Sequence, residues 1–136
     1  MTFKGYFSFW AIGDIRVFVY LANSNPNVLY SKEKPMISVL VAIELKPGTR
    51  EAFLKHFNDN IPAVLAEDGC LEYFSAIDIE SGLDIQSKNP NCVSVIEKWE
   101  SIDALHAHLK APHMAAYREK TQDMVVGLDL KVLEKA

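Results

Sequence analysis

The sequence is poor in cysteine, which argues against a cysteine metal site and against a fold held together by several disulfides. Its only cysteines are Cys70 and Cys92, whose separation matches no metal-binding spacing. A fold held together by several disulfides needs more cysteines than this. A single disulfide between adjacent strands is the alternative, and nothing in the sequence supports it. We interpret Cys70 and Cys92 as two buried thiols in a reducing compartment, which predicts a cytoplasmic protein.

The sequence also lacks the features of nucleic-acid, nucleotide and hydrolase proteins. The net charge is −4, and no basic stripe with interleaved aromatic residues is present. We therefore expect no nucleic-acid partner and no affinity for anionic membrane surfaces. There is no glycine-rich phosphate loop and no Gly-x-Ser-x-Gly nucleophile elbow.

No apolar run is long enough to cross a membrane. The first 35 residues also lack the regular hydrophobic pattern that begins at Met36. Asp14 and Arg16 interrupt the apolar residues near the N-terminus, and a polar turn-like segment follows at 23–27. Met36 then opens directly into a strand pattern. Residues 1–35 are either an appended arm, packed on the domain or on a partner, or an extension from an early start codon. We favour the second reading and place the domain at 36–136.

From Met36 onward, hydrophobic periodicity predicts regular elements. Thr49 and Ser101 are suitable N-caps for two of the helices. In the helix that follows Ser101, the side chains expected to point inward are Ile102, Leu105 and Leu109. Pro62 predicts a kink or break in the first helix. In chain order the predicted elements are strand 37–45, helix 50–67, strand 71–79, strand 92–99, helix 102–110, helical stretch 113–126 and strand 128–132.

This order is β-α-β-β-α-β, which predicts an α+β, ferredoxin-like fold with a four-stranded antiparallel sheet. Right-handed connections place the helices on one face of that sheet. The other face carries apolar side chains that nothing from 36–136 covers, and a monomer seldom exposes such a patch. We therefore expect a homodimer that packs sheet against sheet.

Several polar and aromatic side chains are expected to converge at one end of this sheet and line a pocket. Several have a structural alternative: Trp99 as core, Glu97 as a solvated carboxylate or a partner for Arg118, the tyrosines as packing residues, and His113 as a cap at the start of its helix. A metal site is not expected, because His106 and His108 are two apart on a helix and point in different directions. The candidates are Asn60, Tyr73, Glu97, Trp99, His108, His113 and Tyr117.

Several short strings carry a resemblance to a known family. They are Glu-Lys-Trp-Glu-Ser at 97–101, Ala-Leu-His-Ala-His-Leu at 104–109, Ala-Pro-His-Met at 111–114, Lys-Pro-Gly at 46–48 and Gly-Cys-Leu-Glu-Tyr at 69–73. Over about 36–134, the chain resembles the antibiotic biosynthesis monooxygenase family.

The resemblance implies a dimeric α/β barrel and a cofactor-free oxygenase that acts on quinols or aromatic phenols with O2. In such chemistry a protein base removes a phenolic proton, and the electron-rich anion then reduces O2. The resemblance implies His113 or His108 as the base, and Trp99 and Tyr73 as cavity walls. Asn60 is implied as an oxyanion or carbonyl donor. Glu97 and Tyr117 complete the expected substrate-binding set.

Other functions of similar folds remain open. Haem-degrading relatives use an asparagine late in the first strand, where this chain has Val41, so haem degradation is not expected. An isomerase of a small phosphorylated ketone would need a cationic pocket, for which the sequence gives no obvious clamp. A non-catalytic dimeric module that binds apolar ligands is the alternative from a different class.

Overall fold

The computed structural model describes residues 36–136, so both readings of residues 1–35 lie outside the described part of the chain. Seven elements make up the described part. They are β1 (Ile37–Leu45), α1 (Arg50–Leu65), β2 (Cys70–Ala76), β3 (Cys92–Trp99), α2 (Ile102–Lys110), α3 (Pro112–Thr121) and β4 (Val125–Leu133).

The strands form one antiparallel sheet in the order β2-β3-β1-β4. The connections α1 and α2–α3 join strands that are not neighbours, which is the ferredoxin-like arrangement predicted from the element order. In the register, Val41 lies opposite Val95 on β3 and Leu130 on β4. Because side chains alternate along a strand, these three share the face that packs on the helices.

The core lies between that face and the helices. On β1 and β3 the residues at odd positions are buried, and the even positions are more exposed. Phe53, Phe57 and Val64 of α1 supply the facing stripe. Leu105 from α2 and Met114 from α3 complete the packing. The expected alternation is therefore confirmed on both central strands.

Two details of α1 differ from expectation. Thr49 is the N-cap residue, but its side chain makes no capping bond and instead donates to the carbonyl of Lys46 at 2.8 Å. The helix continues through Pro62 to Leu65, so the expected break is wrong. Proline removes a bond to the carbonyl of Asn58, and Asn58 is exposed, so water can satisfy that carbonyl.

Two strand boundaries also differ. β2 ends at Ala76 and not at Ile79, because Ala76 pairs with Ser94 and β3 extends only two residues further, to Cys92. α3 ends at Thr121, and β4 begins at Val125, earlier than expected. The first residues of β4 pair with β1, since Val125 lies opposite Leu45, and this pairing extends the strand toward its N-terminal end.

The structure also corrects the prediction of which α2 side chains point inward. Ser101 caps the helix as expected, accepting a hydrogen bond from the backbone N–H of Ala104 at 3.1 Å. Ile102 and Leu109, which were expected to point inward, are exposed. Leu105 and His108 are the buried residues. The helix thus turns a histidine toward the sheet, and this positions the site described below.

Candidate functional site

A cavity of about 400 Å³ lies between the helices and the sheet. Its walls are largely apolar, with a few polar groups among them. The lining residues are Val41, Ile43, Phe53, Phe57, Tyr73, Val95, Glu97, His108, Leu109, Met114, Tyr117, Arg118, Thr121, Gln122, Val125, Leu128 and Leu130. This size and composition are those of a small-molecule site.

Aromatic rings form a large part of the wall. Phe57 and Tyr73 stack with centroids 4.9 Å apart and ring planes 12° apart. Tyr117 meets Phe57 edge to face at 6.2 Å, and Phe53 in the same way at 6.1 Å. Phe53 and Phe57 are neighbours on α1 because residues four apart share a helix face. This part of the cavity wall is therefore a cluster of packed aromatic rings.

His108 is the most enclosed polar residue of the cavity, with 1% of its surface exposed. It follows Leu105 by three positions and so shares the buried face of α2. Its ring lies 4.6 Å from the Trp99 ring and 5.7 Å from the Tyr73 ring, measured between centroids. Its Nδ1 lies 2.9 Å from Oε1 of Glu67. Nδ1 of His108 is thus engaged by Glu67, and no residue of 36–136 makes a hydrogen bond to Nε2.

Glu67 lies beside two histidines. Its Oε1 is 2.8 Å from Nε2 of His113, as well as close to His108. The His113 nitrogen is off the direction of a hydrogen bond, so within 36–136 it is buried without a hydrogen-bonding partner. The other nitrogen of His113, Nδ1, lies 3.2 Å from Oδ1 of Asn60. The Asn60 amide nitrogen donates to the sulfur of Met114 at 3.2 Å.

Glu97 lines the cavity and is buried, so the alternative of a solvated edge carboxylate is wrong. Its partner is the indole N–H of Trp99, which donates to Oε2 at 2.8 Å. Arg118, the partner considered from the sequence, donates instead to the carbonyl of Leu109. Burial raises the pKa of the Glu97 carboxyl, while the Trp99 bond and nearby His108 partly oppose the rise.

Both cavity tyrosines have hydroxyls that resist ionisation. Burial raises the pKa of Tyr73 and of Tyr117 well above the ordinary value. The Tyr117 hydroxyl is buried without a well-aligned partner among residues 36–136. Its neighbour Thr121 donates to the backbone carbonyl of Tyr117 instead. Tyr117 therefore offers an O–H group to whatever occupies the cavity.

The structure brings together most of the residues predicted from the sequence. Tyr73, Glu97, His108 and Tyr117 line the cavity. Trp99 is fully buried and does not line the cavity, but it contacts two residues that do, Glu97 and His108. Asn60 and His113 pair with each other and are not among the lining residues.

Glu67 was not among the site residues selected from the sequence, where it is the last residue of the predicted helix 50–67. It lies 41 residues before His108, and no local spacing links the two. A carboxylate directly after a helix was the available signal, and this is common on protein surfaces.

The described residues contain two free thiols, no grouped metal ligands and no membrane-spanning helix. Cys70 and Cys92 are free thiols, and burial raises the pKa of Cys70 to about 11. Within 36–136 no three His, Cys, Asp or Glu side chains are grouped as metal ligands. No helix in the same range has the length and apolar character needed to cross a membrane.

Comparison with known proteins shows a shared fold with several solved structures. A crystal structure of PA3566 from Pseudomonas aeruginosa superposes with a TM-score of 0.65 at 19% identity, covering 76% of this chain and 97% of that one. A conserved protein from Methanosarcina mazei Go1 gives 0.66 at 20% identity, covering 79% of this chain and all of that one.

Sequence comparison is more specific. The chain is 39% identical over 101 residues to the Escherichia coli (strain K12) protein named "Probable quinol monooxygenase YgiN", covering 73% of this chain and 97% of that protein. The family model described as "Antibiotic biosynthesis monooxygenase" matches residues 36–120. With its ferredoxin-like sheet and aromatic cavity, the chain belongs to the antibiotic biosynthesis monooxygenase family.

Proposed function

We propose that this protein is a cofactor-independent monooxygenase that acts on a quinol or phenol-type aromatic molecule. One observation carries the proposal: His108 lines an aromatic-walled cavity, with Nδ1 bonded to Glu67 and no hydrogen bond to Nε2 from any residue of 36–136. Family membership and the relative named as a quinol monooxygenase support the same reaction class.

The chemistry requires a base, because a phenol reduces O2 much more readily as its anion. In the proposed reaction, Nε2 of His108 accepts the phenolic proton, and the substrate anion transfers an electron to O2. The two radicals combine to a peroxide anion at a ring carbon that bears a hydrogen, and the protonated His108 returns its proton to give the hydroperoxide. Loss of water then leaves one oxygen atom as a new carbonyl, with the substrate supplying both hydrogens of the water and all of the electrons.

The cavity provides what each step needs. Histidine is a suitable base near neutral pH. The rings of Phe57 and Tyr73 can hold a flat substrate against the sheet. The Tyr117 hydroxyl can donate to an oxyanion as it forms. We assign the donor role to Tyr117 because the amide of Asn60 is already engaged by Met114 and His113.

The choice of His108 over His113 as the base follows from position. His108 lines the cavity, and His113 is not among the lining residues. The alternative isomerase function calls for a cationic pocket. Arg118 is the one lysine or arginine among the cavity-lining residues of the described range, which is a poor match to a phosphate clamp.

Oxygen uptake with reduced naphthoquinols tests the proposal. We expect the wild type to consume O2 above the autoxidation rate. The His108→Gln variant, which keeps a similar volume but cannot act as a base, should be slower by on the order of 100-fold or more. His106→Gln is the matched control, since His106 is exposed on the same helix.

The outcomes separate the candidate functions. Naphthoquinone binding without O2 uptake by the wild type would overturn the oxygenase proposal and favour the binding module. Uptake that His108→Gln leaves unchanged would overturn the assignment of the base.

We also propose that the protein is a homodimer. The sheet face opposite the helices carries a row of apolar side chains from Phe74, Ile96 and Leu40, which face one another across β2, β3 and β1. Phe74 and Leu40 are both more than two-fifths exposed. A second copy of the same face would bury this row about a twofold axis.

A further inference from the structure

Glu67 takes no part in the proton transfer proposed for His108, yet its carboxylate lies at hydrogen-bond distance from that residue. We propose that Glu67 is a positioning residue, whose carboxylate accepts a hydrogen bond from Nδ1–H of His108 and so keeps Nε2 unprotonated for the substrate. The catalytic part of this inference rests on the proposed function. The tautomer of His108 can be measured without it.

The geometry at Nδ1 carries the first step. Oε1 of Glu67 lies 2.9 Å from Nδ1 of His108, and the two side chains are 16% and 1% exposed. An ionised carboxylate can only accept hydrogen bonds, so the facing nitrogen must carry the proton. A neutral imidazole has one protonated nitrogen, and Nε2 is then the acceptor. A base needs this acceptor on the side where the substrate binds.

The backbone holds Glu67 firmly enough to set that tautomer. The Glu67 N–H donates to the carbonyl of Val64 at 3.0 Å, and its own carbonyl accepts from the N–H of Cys70 at 3.2 Å. Two residues on, Gly69 packs against Ala104 of α2, the helix that carries His108. The turn and the helix are therefore fixed to each other, and the carboxylate does not depend on a flexible loop.

The other groups around His108 do not replace Glu67. Glu97 faces it from β3, but its Oε2 is bonded to the Trp99 indole. Tyr73 of β2 and His113 of α3 contact it as rings, with centroids 5.7 and 6.4 Å away. Glu67 is thus the hydrogen-bonded carboxylate in the described surroundings of His108. It would also stabilise the imidazolium formed once His108 has taken the substrate proton.

Nitrogen NMR of histidine-labelled protein measures the tautomer directly. His108 is assigned by the signals lost in His108→Gln. We expect the wild-type ring to carry its proton on Nδ1. In Glu67→Gln the new amide can donate to Nδ1, so the Nε2-protonated form should appear. A wild-type His108 protonated on Nε2 would overturn the proposal without reference to any variant.

Oxygen uptake supplies the second readout. With naphthoquinol as substrate, Glu67→Gln should lower kcat by at least about 10-fold with little change in KM, because general base catalysis contributes roughly 10²–10⁴-fold. Glu67→Asp, which keeps the charge, should recover part of the rate. Asp68→Asn is the matched control, as it removes an exposed carboxylate from the same turn.

Two results decide the inference. If Glu67→Gln leaves both the tautomer and kcat unchanged, Glu67 does not position His108. If the wild type consumes no oxygen, the proposed function fails, and the tautomer measurement still decides whether Glu67 sets the state of His108.

Discussion

Glu97 illustrates how burial changes the chemistry of a single residue. Its carboxyl lies in a largely apolar cavity, with the Trp99 indole as hydrogen-bond donor. Burial outweighs that bond and raises the carboxyl pKa in the folded protein. Because the unfolded chain releases this proton at lower pH, the group stabilises the fold fully below its unfolded pKa. That contribution is lost as pH rises through the raised, folded pKa.

Replacing Glu97 by glutamine should therefore stabilise the protein increasingly as pH rises. Glutamine is neutral at all pH values and can still accept from Trp99. We expect the difference in unfolding free energy between Glu97→Gln and the wild type to be larger at pH 7.5 than at pH 4.5, measured by urea denaturation. Glu100→Gln, at an exposed carboxyl, is the control and should show a smaller pH trend. A difference that falls with pH would contradict the assigned direction.

The residues that could be predicted from the sequence share a physical reason. Tyr73, Glu97 and Trp99 lie on strands whose alternation is legible, so their shared inward face follows from the period. His108 was named without knowing that it was buried, since Leu109 beside it was expected to point inward. Glu67 could not be predicted, because its contact with His108 depends on how the turn packs against α2.

Element boundaries follow a similar division. The period of each segment predicted the type and order of the elements. The ends depended on contacts that a local pattern does not contain: β2 stops where β3 no longer offers a partner, and β4 starts where β1 does. Thr49 and Ser101 look alike as N-caps, but only Ser101 makes the capping bond to its helix.

Gly69 is where the α1–β2 connection meets α2, and a side chain there should be costly. Its φ is +82°, and a Cβ would lie 2.7 Å from the Cβ of Ala104. Positive φ costs about 1–2 kcal/mol for a residue with a side chain, and overpacking adds about 1–3 kcal/mol. We expect Gly69→Ala to lower the unfolding free energy by about 2–5 kcal/mol in urea denaturation, the sum of these terms.

Gly48 provides the matched control for this substitution. It has the same φ of +82°, but a Cβ there would meet nothing within 4 Å. Gly48→Ala should therefore cost only the backbone part, about 1–2 kcal/mol. Equal losses in the two variants would show that the contact between the turn and α2 is not tight, and would weaken the proposed support for Glu67.

At the scale of the whole molecule, the two faces of the sheet differ in what covers them. The helix-facing side encloses the cavity and contains the buried histidine. The opposite side has alternating positions that are apolar but not covered by residues 36–136, such as Leu40 and Phe74. A sheet with both faces apolar is typical of a strand arrangement covered on both sides. This asymmetry is the reason for expecting a second copy.

A charge placed in that face should separate the proposed dimer. We expect the wild type to sediment as a dimer at micromolar concentration, and Phe74→Lys to weaken association by at least about 100-fold, equivalent to about 2.8 kcal/mol. A twofold interface presents the substitution twice, which increases its effect. Ile102→Lys is the control, because Ile102 is equally exposed at 42% but lies on α2.

Sedimentation equilibrium measures the association of the wild type and of both variants. A monomeric wild type, or equal weakening by the two substitutions, would rule out the sheet face as the interface. If Phe74→Lys instead gives a folded monomer that still binds naphthoquinone, the cavity is complete within one chain and the dimer serves only to cover the sheet.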